Sequence, residues 1–127
     1  MADADPGWME RVLIIMISSV ATIGTSGRGG PYNMGKAAME ALALTIATEE
    51  RAHGIRCNIV APSLTVTEMG RRLTKATTGI ADIHELDARS PFGRVSTPQD
   101  VANAVAWLVS SANPYANGQK ININGGG

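Results

Sequence analysis

Six consecutive apolar residues, Val12-Leu13-Ile14-Ile15-Met16-Ile17, stop abruptly at Ser18 and Ser19. A run this short cannot make an independent helix, and its unbroken apolarity fits a parallel strand covered on both faces. A sheet covered on both faces needs helices on each side, which commits the chain to an α/β architecture. The remaining pattern agrees. T-I-G-T-S-G-R-G-G (22–30) reads as a loop. Pro31 suits a first helical turn, and the spacing predicts a helix over 31–52 that Gly54 stops. Residues 55–61 read as a second buried strand, ended by Pro62. Thr97-Pro98-Gln99-Asp100 opens a helix over 98–111, with Thr97 as N-cap, Pro98 as its first residue and Asp100 as the N3 acid. Along it Val101, Ala104, Val105, Leu108 and Val109 recur at helical spacing, and Trp107 is expected on the packing surface. Residues 119–124 alternate as a last strand. With 11–18 as the first strand, the prediction is part of a doubly wound fold: three parallel strands joined by right-handed crossovers, in one domain spanning 1–127. The stretch 63–90, with Thr, Gly and mixed charges, is expected to be a mobile segment of short helices that shapes a substrate pocket.

Composition narrows the function classes. Hydrophobic residues make up 44% of the chain but aromatics only 4%, so the core is aliphatic and little is left to stack on bases. Eleven basic and eleven acidic residues cancel, and nothing draws the chain to nucleic acid or an anionic membrane. The single cysteine, Cys57, excludes an internal disulfide and sits in a strand pattern, where a small buried hydrophobe is expected rather than a reactive thiol. M-A-D-A-D-P-G-W-M-E is acidic ahead of its apolar run, the reverse of a signal peptide, and no apolar stretch approaches a membrane span. The expectation is a cytoplasmic protein with neither nucleic-acid nor membrane partners. His53 and His84 lack ligand-spaced partners, so no metal site is expected. Asp82, Glu85, Asp87 and Arg89 are expected on a solvated face, and Tyr115 in a turn.

Chemistry concentrates in three residues. Tyr32 and Lys36 are four apart on the first helix and share one face, so the ammonium can stand beside the phenol and favour its phenolate form. Ser19 ends the first strand, where open α/β sheets place their ligands, and could hold a substrate oxygen. Taken singly, each has an ordinary reading: a strand-ending serine, an exposed helix-start aromatic, a solvated charge. Gly30 to Ala37 nearly spells the phosphate-loop pattern, but Ala37 lacks the hydroxyl that magnesium needs, and the loop stands too far from its strand.

The ordered blocks around these residues carry a resemblance. V-L-I-I-M-I-S-S-V-A, Tyr32-Asn33-Met34-Gly35-Lys36, G-I-R-C-N-I-V-A-P (54–62), S-P-F-G-R (90–94), P-Q-D-V-A (98–102) and N-G-Q-K-I-N-I-N-G-G (117–126) resemble, in order, the C-terminal half of a short-chain dehydrogenase/reductase. In that family the glycine-rich T-G-x-x-x-G-x-G turn, an N-N-A-G segment and a catalytic asparagine precede the serine strand; ten residues precede it here. The resemblance implies a partial Rossmann-like fold and NAD(P)-dependent hydride transfer between a small-molecule alcohol and its carbonyl. It implies that Ser19 binds the substrate oxygen, Tyr32 passes the proton, and Lys36 assists the tyrosine and grips the nicotinamide ribose. P-S-L-T-V-T-E-M (62–69) resembles the family's P-G-x-x-x-T-x-M, which gives Pro62, the backbone of Thr65 and Thr67 the carboxamide cradle. Ser63, Thr65 and Gly35 depart from the usual residues; a helix-interior glycine costs about 1 kcal/mol relative to alanine. Without the pyrophosphate turn, binding of NAD or NADP is expected to be weak or absent. A first strand bared on one side invites pairing with another chain, so a homo-oligomer is expected. Two further readings use the same residues: a cofactor-independent Ser/Tyr/Lys hydrolase with Ser19 as nucleophile, and a truncated, non-catalytic assembly module.

Overall fold

The computed structural model describes residues 12–24 and 27–127. The acidic N-terminal segment and the first residue of the predicted 11–18 strand lie outside them. Three parallel strands, β1 (Leu13–Ile17), β2 (Arg56–Pro62) and β3 (Lys120–Ile123), form one sheet in the order β1-β2-β3. The helices are α1 (Gly30–Glu49), α2 (Glu68–Thr78) and α3 (Pro98–Val109). This is the predicted Rossmann-like α/β fold; α3 starts at the expected Pro98, and the other boundaries move by one to three residues.

Register explains how β1 is presented. Ile14 stands opposite Cys57 and Met16 opposite Ile59. Arg56 N–H donates to Val12 O at 3.3 Å and Ser18 N–H to Val60 O at 2.8 Å. Bonding residues alternate along a parallel ladder, so Val12, Ile14, Met16 and Ser18 face β2 with their backbone groups. Leu13, Ile15 and Ile17 turn theirs to the opposite edge, which no other strand covers among the described residues.

α1 packs through small side chains. Tyr32, Lys36, Glu40, Ala43 and Ala47 follow at steps of four and three and so lie along one face. Its lower part, Ala43 and Ala47, is buried in a core with Cys57 and Ile59, flanked by Ile14, Met16 and Ile46. Cys57 is fully buried, as expected, and burial pushes its thiol up from the ordinary value. The helix ends at Glu49, a single 3-10 turn follows over Arg51–His53, and Gly54 stops the chain in the left-handed region at φ 76°.

α3 begins with the predicted capping box: the Thr97 hydroxyl accepts from Asp100 N–H while the Asp100 carboxylate accepts from Thr97 N–H. Its stripe is narrower than expected. Leu108 is buried, but Trp107 is 54% and Val109 42% exposed. At about 100° per residue, each neighbour of Leu108 swings off the sheet-facing line, and apolarity alone does not bring it back. The stretch 63–90 carries α2, capped by the Thr67 hydroxyl and ended by Gly79 at φ 76°, then a 3-10 segment over Ile83–Arg89. Asp82, Glu85 and Arg89 are exposed, as expected, and Asp87 is half-buried; Asp82 accepts from His84 N–H at 3.0 Å, and Asp87 from Val95 N–H at 2.9 Å. The Val95 amide holds the Asp87 carboxyl below its ordinary value against a smaller desolvation effect. No helix among the described residues is long and apolar enough to cross a membrane.

Candidate active site

The upper part of the α1 face meets the carboxyl end of β1. Lys36 Nζ donates to Ile17 O at 2.9 Å, one of the carbonyls that point to the open edge. The same nitrogen stands 5.8 Å from the centroid of the Tyr32 ring, within reach of a cation–π contact. The predicted helix-face pairing of Tyr32 and Lys36 is thus present, and one hydrogen bond ties it to the strand that leads into Ser18 and Ser19. Tyr32 is 46% exposed, so its hydroxyl can meet a ligand.

Ser19 follows β1 in extended backbone and N-caps a 3-10 turn over Val20–Thr22. Its Oγ accepts from Ala21 N–H at 3.1 Å. A serine hydroxyl has one proton as well as its lone pairs, so accepting from Ala21 leaves its O–H able to donate to a ligand oxygen. Its hydrogen bond goes to the local turn rather than to Tyr32 or Lys36.

Pro62 is the last residue of β2, and Thr65 and Thr67 stand past its end. Thr65 Oγ1 donates to Ser63 O at 2.9 Å, and Val66 N–H donates to Ser96 O at 2.8 Å. Thr67 Oγ1 donates to Thr65 O at 3.3 Å and accepts from Gly70 N–H at 2.9 Å, so it caps α2 as well as bracing its own loop. A separate open cleft runs between Ser63–Leu64, Pro91–Arg94 and Asn124–Gly125, and none of the six predicted site residues lines it.

Sequence reasoning missed four polar neighbours of Ser19. The Glu40 carboxylate accepts from the Ser18 hydroxyl, from the Thr22 hydroxyl at 2.9 Å and from the Lys120 ammonium at 2.9 Å. Burial alone would raise the Glu40 carboxyl; the bonds from Ser18, Lys120 and Thr22, with the Lys120 charge, more than offset this and hold it below its ordinary value. Glu40 lies one turn beyond Lys36, which was the available signal; Lys120, on β3, gave none.

A parallel sheet with crossover helices defines a Rossmann-like α/β protein, in which the Tyr32–Lys36 face reaches the carboxyl end of β1 just ahead of Ser18 and Ser19. Comparison identifies the family. The profile described as enoyl-(acyl carrier protein) reductase matches residues 2–127. The chain is 38% identical over 116 residues to the 3-oxoacyl-acyl-carrier-protein reductase FabG of Escherichia coli K12, covering 89% of this chain and 44% of that protein. An oxidoreductase of the short-chain dehydrogenase/reductase family from Burkholderia thailandensis superposes with a TM-score of 0.78 at 27% identity, over 92% of this chain and 45% of that one. The angucycline C-6 ketoreductase LanV with bound NADP superposes with a TM-score of 0.76 at 30% identity, over 91% and 43%. This chain belongs to the short-chain dehydrogenase/reductase family. It spans less than half the length of these relatives.

Proposed function

We propose that the chain carries the catalytic half of an NAD(P)-dependent carbonyl reductase or alcohol dehydrogenase, with Ser19, Tyr32 and Lys36 as its reacting set. The observation that carries this reading is the Lys36 ammonium, 5.8 Å from the Tyr32 ring and anchored on the Ile17 carbonyl next to Ser18-Ser19. The described residues fit the nicotinamide end of a dinucleotide. Lys36 commits one of its three donor protons to Ile17 and keeps two for ribose hydroxyls, and the exposed phenol stands beside it. Pro62, the backbone of Thr65 and Thr67 form the loop that would receive the carboxamide. The pyrophosphate end is not matched: among the described residues no strand passes through a glycine-rich turn directly into a helix.

When bound, NAD(P) supplies the hydride to the carbonyl carbon or accepts it from the alcohol. Ser19 donates its O–H to the substrate oxygen and fixes its direction. Tyr32 gives its phenolic proton to that oxygen as the hydride arrives, and the Lys36 charge stabilises the phenolate left behind. A small carbonyl compound or alcohol is the substrate class. Self-association through the open β1 edge belongs to the same reading.

Isothermal titration of NADH and NADPH into the purified chain tests it. Weak but saturable heat is expected with both reduced cofactors and is lost in Lys36→Met. Tyr32→Phe should keep the binding and lower carbonyl turnover by roughly 10²–10⁴-fold, the range for a removed general acid. A folded chain that gives only dilution heat refutes the redox reading, as does cofactor-free ester turnover abolished by Ser19→Ala.

A further inference from the structure

Glu40 is a carboxylate in a place where the fold could have used an apolar residue. It sits on the same α1 face as Tyr32 and Lys36, directly above the buried Ala43 and Ala47, and its side chain is only 15% exposed. Lys120, reaching it from β3, is 25% exposed. A partly buried ion pair of this kind gains little net stability over apolar packing, so the pair calls for a purpose other than stability. Lys36, one turn away, is not its ion-pair partner among the described residues: Glu40 pairs with Lys120, and Lys36 is left to Ile17 O and the Tyr32 ring.

What Glu40 holds suggests that purpose. Ser18 and Thr22, the two hydroxyls it receives, stand immediately before Ser19 and three residues after it. Lys120 Nζ also donates to Thr22 Oγ1 at 2.9 Å, which closes the cluster. Between these two ties runs the turn in which Ser19 caps Val20–Thr22, with Thr22 N–H on Ser19 O at 3.2 Å and Ile23 N–H on Val20 O at 2.9 Å. Such a short 3-10 turn has little stability of its own. We propose that Glu40, held in place by Lys120, is a positioning residue: it clamps both ends of the Ser18–Thr22 turn and so fixes where the Ser19 hydroxyl stands relative to Tyr32. Helix, strand and turn are thereby coupled through one carboxylate. The catalytic consequence rests on the Ser19, Tyr32, Lys36 reading; the clamp itself does not.

Amide hydrogen exchange, read by NMR on the full 127-residue chain, tests the clamp without any cofactor. In Glu40→Met the Ala21, Thr22 and Ile23 amides should exchange roughly tenfold faster, while the Ile59 and Val60 amides of β2 stay within about twofold. Glu40→Gln keeps an acceptor oxygen and should fall between the two. Lys120→Met and Thr22→Val, which each remove only part of the cluster, carry the same comparison if Glu40→Met does not fold. Equal acceleration at turn and core overturns the proposal, and so does an unchanged turn. Where carbonyl reduction is measured, Glu40→Met should lower kcat more than it raises KM. Failure of cofactor binding in the unsubstituted chain removes the redox reading and leaves the exchange result to decide the clamp.

Discussion

Replacing Gly70 by alanine should damage the loop proposed to receive the carboxamide, and the structure gives the size of the effect. A Cβ at Gly70 would stand 2.0 Å from Thr65 O and 3.2 Å from both Thr65 C and Thr67 Oγ1. Even close C···O contacts lie at about 3.3 Å, so the carbonyl must retreat by roughly 1.3 Å. It is not free to do so, because Thr65 O accepts the Thr67 hydroxyl and the following Val66 N–H is bound to Ser96 O. Overpacking of this kind costs about 1–3 kcal/mol. Disturbing the Thr67 cap costs about 1 kcal/mol more, and the helix preference of alanine returns up to about 1 kcal/mol. The net is a loss of about 1–3 kcal/mol. With an unfolding entropy of about 2.1 cal/mol/K per residue over 127 residues, each kcal/mol moves Tm by about 4 °C, so a fall of about 4–11 °C is expected. Gly35→Ala is the control. A Cβ there meets nothing within 4 Å, and the helix should gain up to about 1 kcal/mol, raising Tm by up to about 4 °C. Thermal melts followed by circular dichroism, with urea unfolding to check that the m-value is unchanged, decide between the signs. Shifts in the same direction for both variants, or a neutral Gly70→Ala, would refute the steric reasoning.

Acid stability follows from the depressed carboxyls. Arg94, with Thr97 N–H, holds Asp100 well below the usual carboxylate range, and Glu40 lies below its ordinary value. The folded state therefore binds fewer protons than the unfolded one as these groups titrate. Their contribution is complete above the unfolded values of 3.8 and 4.5 and is lost as pH falls through the lower folded values. Urea midpoints should drop on the acid side of pH 4.5, and Asp100→Asn should flatten that limb; an equal slope in both proteins would contradict it. At the open edge of β1, Ile15→Pro removes an N–H that points away from β2, so it should reduce self-association in analytical ultracentrifugation while the fold survives. A chain that is already monomeric, or a variant of unchanged mass, would remove the edge from consideration. NADH and NADPH differ at the adenosine ribose, which no described residue is assigned to receive, so they should bind equally well, and reduced nicotinamide mononucleotide should compete with either. A large preference for one dinucleotide would show that the adenosine end is recognised after all.

Local chemistry made most of the fold legible. An apolar run broken by Ser18 predicted β1, and Pro31 with Gly54 bracketed α1 and its trailing 3-10 turn, because proline presets the first-turn φ and glycine admits the left-handed φ that stops the chain. Thr97 and Asp100 announced α3 because their side chains satisfy each other's free backbone N–H at the helix start. Trp107 went astray because apolar character was read without its angle on the helix, and its place beside Leu108 turns it to solvent. The extent of α2 was hidden differently: Met69, Leu73 and Ala76 make only a short apolar stripe among polar residues, and Met69 and Leu73 stay exposed, although Thr67 and Gly79 marked its two ends. Asn58 and Asn117 show what a strand pattern conceals. Buried Asn58 bonds Ala116 O and Gln119 N–H, while Asn117 bonds Cys57 N–H and Ala47 O, and together they seat the approach to β3.

The site divides along the same line. Tyr32 and Lys36 could be read because a helix fixes the relation between residues four apart, whatever the rest of the chain does. Ser19 could be placed at a strand end, but the partner of its hydroxyl depends on a turn whose geometry no periodicity encodes. The Glu40–Lys120 pair lay beyond reach of pattern altogether: the residues are 80 positions apart and meet only because β3 lies beyond β2 from β1, with α1 crossing the sheet. A charge at Glu40 looks like an ordinary solvated helix residue until the sheet is closed around it. Side chains whose role depends on one element are legible from sequence, whereas those that join three elements become legible only with the fold. The proposed clamp is of the second kind, and for that reason its removal should be felt in the Ser18–Thr22 turn before it is felt in α1 or β3.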